Sequence, residues 1–174
     1  MDMEREQTER YEQWYWSAEG INDRLMYLGE DLDLRTIIID TLQRLPRDVA
    51  RFALEHCRFV SVGRATLGIT LPGRVGTSSH HRQTSWRVIP AYLHRLLGIS
   101  DREETSEHIW IIVLDERMAF DDVQSVIAHE IAHAWLGHDR LGNPPEDCEV
   151  QTARLVQQWG FTGIGADPEF HALW

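Results

Sequence analysis

The sequence has no lysine, only two cysteines and no long apolar run, and each absence excludes a class of protein. All 17 basic residues are arginine, against 28 acidic residues, so the formal net charge is 17 − 28 = −11 at pH 7. An acidic surface repels phosphate groups, which argues against a nucleic-acid partner. Apolar runs such as IIVL fall far short of a membrane span, so we expect no membrane segment.

The cysteines and the N-terminus indicate the compartment. Cys57 and Cys148 lie 91 positions apart (148 − 57) and form no CxxC or other ligand spacing, so neither a disulfide framework nor a cysteine zinc site is predicted. The first ten residues, MDMEREQTER, are charged where a signal peptide needs an apolar core. We therefore expect a cytoplasmic protein with reduced thiols.

The length of 174 residues suits a single domain over 1–174, with a helical part over 1–57 and a sheet with further helices over 58–174. In the first part, apolar residues recur at helical spacing. The predicted helices run from Met3 to about Leu28, with Gly20 as a candidate break, from Leu34 to Leu45, and from Pro46 to near Cys57. Trp14, Tyr15 and Trp16 are expected to pack the first helix onto the domain.

The pattern then changes to short β-branched segments. RFVSVG and RATLGITLPG predict a pair of strands, and HIWIIVLDE from His108 to Glu116 is the strongest strand pattern in the chain. Between them we expect a loop over Gly73–Ser85 and a short helix over Ala91–Leu97.

Two further helices are predicted in the last third. AFDDVQSVIAHEIAHAWLG indicates a helix capped by Asp121 or Asp122 and ended by Gly137. The next helix is expected over about Pro145 to Trp159, with Asn143 as its cap, Pro144 or Pro145 in its first turn and Gly160 as its end. The segment after Phe161 is predicted to be mostly irregular.

The first of these helices contains HEIAH, in which His129 and His133 are four residues apart. Four helical residues advance about 6 Å and rotate about 40° past a full turn, so both imidazoles lie on one face and can share one zinc ion. Glu130 is rotated about 100° from His129, which suits a general base acting on water rather than a third ligand on the same axis.

Catalytic zinc usually takes three protein ligands, and three candidates compete for the third place. Asp139 lies ten residues after His129, the third-ligand position of metzincins, but the glycine that metzincins carry three positions earlier is leucine here. His138 can swing back to the pair only if the helix ends early, and is better explained as a helix-end or rim histidine. Glu149 lies on a separate helix, sixteen residues after His133, where a turn containing Gly and Pro can fold it back onto the pair.

Register favours Glu149 over the neighbouring acids Glu146 and Asp147, which suit the first turn of a helix. Position 149 is on the inward side of a helix that packs through residues at three, four, seven and ten positions further on. Those residues are Thr152, Ala153, Val156 and Trp159. The alternative for Glu149 is a solvated acid without a ligand role.

HEIAH followed by EVQTARLVQQWGF resembles the gluzincin metallopeptidases, and especially the short intracellular bacterial zincin-like proteins, over about His108 to Phe161. The resemblance implies an α+β, zincin-like fold. A small, mostly antiparallel sheet of about three strands would pack on the HExxH helix and the glutamate-bearing helix, with additional N-terminal helices. It also implies zinc ligands at His129, His133 and Glu149, with Glu130 as the catalytic base.

One departure from that family is Ala153, which stands where an acid often follows the ligand glutamate by four residues. The carboxylate that would orient a ligand histidine is missing there. Asp121, Asp122 or a backbone carbonyl are the candidates to replace it.

These features predict zinc-dependent hydrolysis of a peptide or protein substrate. HIWIIVLDE is either a sheet edge that pairs with the substrate or simply a strand of the core. A second hypothesis is a zinc-binding sensor or partner-binding module with little turnover, and a third is a structural domain without metal. Several residues are chemically able to stabilise an oxyanion. They are His80, His81, Tyr92, His138, Arg154 and His171.

Overall fold

The computed structural model describes residues 2–62, 68–74, 108–115, 123–138 and 146–168. Within these ranges the chain forms six α-helices, four strands and one 3-10 helix, which confirms the predicted α+β class. The predicted helix over Ala91–Leu97 and most of the predicted loop over Gly73–Ser85 lie outside them.

The N-terminal part is mostly helical, as predicted, and its first predicted helix is divided near Gly20, the candidate break. The last two residues of that predicted helix, Tyr27–Leu28, instead form a strand. Helix α1 (Asp2–Tyr15) ends shortly before Ser17, whose Oγ donates to the Trp14 carbonyl at 2.7 Å and accepts the Gly20 amide at 3.1 Å. The same side chain caps α2 (Ala18–Asn22). The break therefore lies before the predicted Gly20, which is instead needed inside α2 because a Cβ there would collide with the Trp14 carbonyl.

The next two helices match their predicted positions. Helix α3 (Leu32–Arg44) is capped by Asp31, whose carboxylate accepts the amides of Asp33 and Leu34 at 2.9 Å each. Helix α4 (Arg47–His56) follows Pro46 directly. Trp16 is partly buried against the core that these helices share, whereas Trp14 is 39% exposed. The predicted aromatic packing therefore holds for Trp16 and not for Trp14.

The sheet corrects the predicted topology. Its strands are β1 (Tyr27–Leu28), β2 (Cys57–Val62), β3 (Gly68–Arg74) and β4 (His108–Asp115). Across the sheet they lie in the order β1-β2-β4-β3, in which β1 and β2 are parallel, β2 and β4 are parallel, and only β3 and β4 are antiparallel. The sheet is small, as predicted, but the predicted mostly antiparallel arrangement is wrong. Strand β3 also covers the first two residues of the predicted loop.

The position of β4 explains why the predicted strand directions were wrong. Strands β2 and β3 are consecutive in sequence, but β4 lies between them in the sheet, so they do not pair with each other. Its residues are buried on both faces, with Ile111 3% and Ile112 0% exposed. A run buried on both faces is typical of a strand inside a sheet covered on both sides, not of an edge. The expectation that this strand forms the substrate-binding edge is wrong; among the described strands, β3 and β1 are the outer ones.

Helix α5 (Val123–Leu136) carries HEIAH through the centre of the molecule. It contacts α3, α4, β3 and β4, and eleven of its fourteen residues are buried, so it is covered nearly all round rather than along one stripe. The helix ends at Gly137, as predicted, which adopts φ 72°. The Gly137 amide donates to the Ala134 carbonyl at 3.1 Å and the His138 amide to the His133 carbonyl at 2.9 Å, which is a Schellman turn.

Helix α6 (Cys148–Gln158) packs against α5. It begins three residues later than predicted and ends at Gly160, which adopts φ 83° as expected of a terminating glycine. The predicted cap Asn143 and the two prolines lie outside the described residues. A 3-10 helix (Ile164–Ala166) follows and contacts both α5 and α6. Across the described ranges, no helix combines the length and the hydropathy that crossing a membrane requires.

Gly137→Ala tests the end of α5. We expect it to lower the free energy of unfolding by about 1 kcal/mol, because alanine is disfavoured in the left-handed region. No heavy atom of the described residues lies within 4 Å of the added Cβ, so the expected cost is backbone strain. Urea denaturation measures it, and Gly137→Asn should cost less because asparagine tolerates this conformation. Equal stability of all three proteins would contradict the left-handed assignment.

Candidate metal centre

The two histidines of HEIAH converge at their ring tips. His129 and His133 lie one turn apart in α5, both fully buried, with their Nε2 atoms 3.0 Å apart. The spacing of four residues predicts this arrangement, because it returns the side chains to one face of the helix.

Glu149 joins them from α6. Its Oε2 lies 3.1 Å from His129 Nε2 and 3.3 Å from His133 Nε2. Helix α6 packs against α5 through fully buried residues, among them Thr152 and Ala153. This contact brings Glu149 close to the two histidines. The predicted inward register of Glu149 is therefore confirmed, and the structure brings together the three residues that the sequence nominates as ligands.

The competing candidates that lie within the described residues are not part of this group. Glu146 and Asp147 are exposed at the start of α6, and Asp139 lies outside the described residues. His138 is buried, 4% exposed, but its Nδ1 lies 3.1 Å from His133 Nδ1, at the ring atom that does not face the group. The expected helix-end position of His138 is correct, whereas the expected place at the rim is not.

The three atoms fit a single metal ion. Their separations of 3.0, 3.1 and 3.3 Å form a nearly equilateral triangle. Two ligands of a tetrahedral zinc ion, each about 2.0 to 2.1 Å from the metal, are about 3.3 to 3.4 Å apart. Two imidazole nitrogens and one carboxylate oxygen are also a donor set that divalent transition metals accept. The group can therefore hold a metal ion.

The hydrogen bond on the other side of His129 supports this role. Its Nδ1 lies 2.8 Å from the Gly165 carbonyl, which can only accept, so Nδ1 carries the proton. In the neutral ring the Nε2 lone pair is then directed at the other two ligand atoms. Such an arrangement favours a cation between the three atoms, because lone pairs this close otherwise repel.

The Gly165 carbonyl takes the place of the carboxylate that Ala153 lacks, which is one of the alternatives left open by the sequence. The Gly165 amide donates to Ser125 Oγ at 3.1 Å. Gly165 therefore makes two hydrogen bonds to α5, one through its amide to Ser125 and one through its carbonyl to His129. A Cβ on Gly165 would collide with the Ser125 main chain, so only glycine allows this approach. The sequence shows nothing of this role, since the segment after Phe161 is predicted only to be irregular.

His133 has a different outer partner. Thr152 Oγ1 donates to the Cys148 carbonyl at 2.8 Å, so its oxygen is left to accept a proton from a ring. It lies 3.3 Å from the Nδ1 atoms of both His133 and His138. A protonated His133 Nδ1 therefore has two acceptors within reach, and its Nε2 remains available as a ligand atom. Thr152 was recognised in the sequence only as a packing residue.

Glu130 directly follows His129 in α5 and is fully buried. Its Oε2 lies 2.7 Å from Thr70 Oγ1, and the same hydroxyl lies 2.8 Å from the Glu130 main-chain oxygen. The structure thus connects the predicted base to strand β3, a contact 60 residues away in sequence that no local pattern indicates.

The predicted oxyanion donors do not converge on the group within the described residues. Arg154 is exposed on α6, and five helical residues rotate it about 140° from Glu149. The remaining candidates, apart from His138, lie outside the described ranges; they are His80, His81, Tyr92 and His171. Both cysteines are buried and form no disulfide. Burial raises the pKa of the Cys57 thiol, which keeps it protonated.

Comparisons of this chain with protein-family models, curated proteins and solved structures find no match. The functional argument therefore depends on the geometry and chemistry of the group itself.

Glu149→Gln tests the assignment of the third ligand. We expect Zn²⁺, used as the probe ion, to bind about 100-fold more weakly, because the amide lacks the negative charge of the carboxylate. Chelator competition measures the affinity. Glu146→Gln is the matched control, since Glu146 is exposed three residues away and should leave zinc affinity unchanged. An equal effect of both substitutions would show that only net charge matters.

Thr152→Val tests the support of His133. We expect zinc affinity to fall about 10-fold, because the isosteric side chain has no oxygen to accept from an imidazole. Thr152→Ser keeps the oxygen and should remain within about threefold of the original affinity. Circular dichroism checks that both variants are folded. If valine and serine bind zinc equally well, Thr152 has a packing role alone.

Proposed function

We propose that the protein is a zinc-dependent peptidase that uses Glu130 as its general base. The observation that carries the proposal is the convergence of His129, His133 and Glu149 on one point, with the buried Glu130 next to His129 in the chain. The resemblance of HEIAH and the following helix to gluzincin metallopeptidases supports the same reading of the residues.

Zinc is the proposed ion because two imidazoles and one carboxylate are a common catalytic donor set for it, leaving one place for water. The glutamate side of the group reaches solvent: the Glu149 side chain is 18% exposed, while both histidines are fully buried. Water and substrate would therefore approach past Glu149. Bound zinc would polarise the scissile carbonyl and lower the pKa of water.

The remaining chemistry belongs to the side chains. Glu130 accepts a proton from the attacking water as the oxygen–carbon bond forms, and delivers it to the leaving nitrogen as the carbon–nitrogen bond breaks. The two histidines keep their orientation because a hydrogen-bonding group holds each ring from behind.

A peptide substrate also suits the sheet. Strand β3 packs on α5 and has a described neighbour, β4, on one side only. An extended peptide at the metal centre would lie beside this strand and could form main-chain hydrogen bonds with it. This gives β3 the substrate-pairing role that the sequence had suggested for β4.

One observation favours a second candidate function, a zinc-binding sensor or partner-binding module with little turnover. Glu130 is fully buried and its carboxylate contacts Thr70, rather than lying at an exposed surface. A base that a substrate reaches with difficulty would act slowly or on one dedicated partner.

Glu130→Gln separates these functions. In the zinc-loaded protein we expect cleavage of unfolded casein to fall by about 10² to 10⁴-fold, since this is the usual contribution of a general base. Zinc content should stay the same, and a chelator should abolish cleavage by the original protein. Mass spectrometry of the products provides the measurement.

The other outcomes are equally clear. Full zinc occupancy, with no Glu130-dependent product from casein or from a digested proteome, would favour the binding module. Substoichiometric zinc, together with no thermal stabilisation by added zinc, would favour a structural domain without metal and would overturn the proposal.

A further inference from the structure

Thr70 is a polar residue in an apolar setting. It lies in β3 opposite Ile112 of β4, and both residues are fully buried where the sheet packs on α5. A β-branched apolar residue such as valine would fill this position without a polar group. A buried hydroxyl is costly unless it is hydrogen bonded. The hydrogen-bond partners of the hydroxyl therefore explain why this position is a threonine.

Those partners are both atoms of Glu130. The hydroxyl oxygen lies 2.7 Å from the carboxylate Oε2 and 2.8 Å from the main-chain oxygen of the same residue. The two contacts involve a side-chain atom and a main-chain atom, so they limit how the side chain can rotate relative to α5.

The hydroxyl can hold the side chain throughout a proton transfer. It has one proton and can also accept. When Glu130 is a carboxylate, Thr70 donates to Oε2. When Glu130 carries a proton, the carboxyl can donate to Thr70, which then donates to the main-chain oxygen. A donor-only residue at this position would lose the contact in one of the two states.

We propose that Thr70 is the positioning residue of Glu130, and that its hydroxyl holds the carboxylate in the orientation from which the base acts. Its effect on turnover rests on the proposed peptidase function, whereas the contact itself does not. A freely rotating glutamate would occupy the reactive orientation only part of the time, so the contact raises the fraction of productive encounters.

The kinetic test compares Thr70→Val, which keeps the shape and removes the hydroxyl, with Thr70→Ser, which keeps the hydroxyl. In zinc-loaded full-length protein acting on unfolded casein, we expect valine to lower kcat about 10- to 100-fold with KM within about twofold. Serine should restore kcat to within about threefold of the original. Zinc affinity should not change in either variant, because Thr70 contacts no ligand side chain in the proposed site.

A second measurement needs no turnover. Urea unfolding of the full-length protein is compared for the original chain, Thr70→Val, Glu130→Met and the double variant. Methionine keeps the length of glutamate without its oxygens. We expect Thr70→Val to lower the urea midpoint by about 0.5 M when Glu130 is present, and by clearly less when methionine replaces it.

The two measurements fail in different ways. Equal midpoint shifts in both backgrounds would overturn the assignment of Thr70, as would unchanged kcat in Thr70→Val or an equal loss in Thr70→Ser. If the original protein cleaves nothing, the peptidase proposal fails, and the midpoint comparison still decides whether Thr70 holds Glu130. Loss of zinc affinity in Thr70→Val would show that the residue supports the fold of α5 instead.

Discussion

The packing of α6 on α5 is the interaction on which the candidate site depends. The two histidines come from one helix and need only helical geometry to converge, but Glu149 reaches them only if α6 lies close and in one register. Thr152, Ala153 and Val156, all fully buried, set that distance and register. A shift of one residue along α6 would rotate Glu149 by about 100° and remove it from the group.

Three side chains of the candidate site are each held by a different part of the chain. His129 is held by the carbonyl of Gly165, His133 has Thr152 and His138 at its outer nitrogen, and Glu130 is held by Thr70. These contacts use a 3-10 helix, a second α-helix and a strand, so folding orients the side chains before any ligand arrives. Such prior orientation is what a metal or catalytic site requires, because loosely held side chains lose both affinity and rate.

The sheet shows where local patterns mislead. RFVSVG and RATLGITLPG are consecutive β-branched segments, and such segments commonly pair, yet β4 lies between them. The apolar run of β4 already indicated burial on both faces, which is typical of an inner strand. The order of segments along the chain does not determine the order of strands in the sheet. A pairing that buries more apolar surface is favoured over the pairing of strands that are consecutive in sequence.

The sequence by itself determined the α+β class, the helices around HEIAH, and the three residues that come together as a possible metal-binding group. Those features depend on spacing within a helix and on one inward register, both of which repeat regularly along a chain. Only the tertiary structure decided the strand order, the buried place of His138, and the contacts of Gly165, Thr152 and Thr70 with the candidate site. The contacts of these last residues join elements that meet only when the chain folds. No sequence pattern identifies the distant partner of a hydroxyl or a carbonyl group.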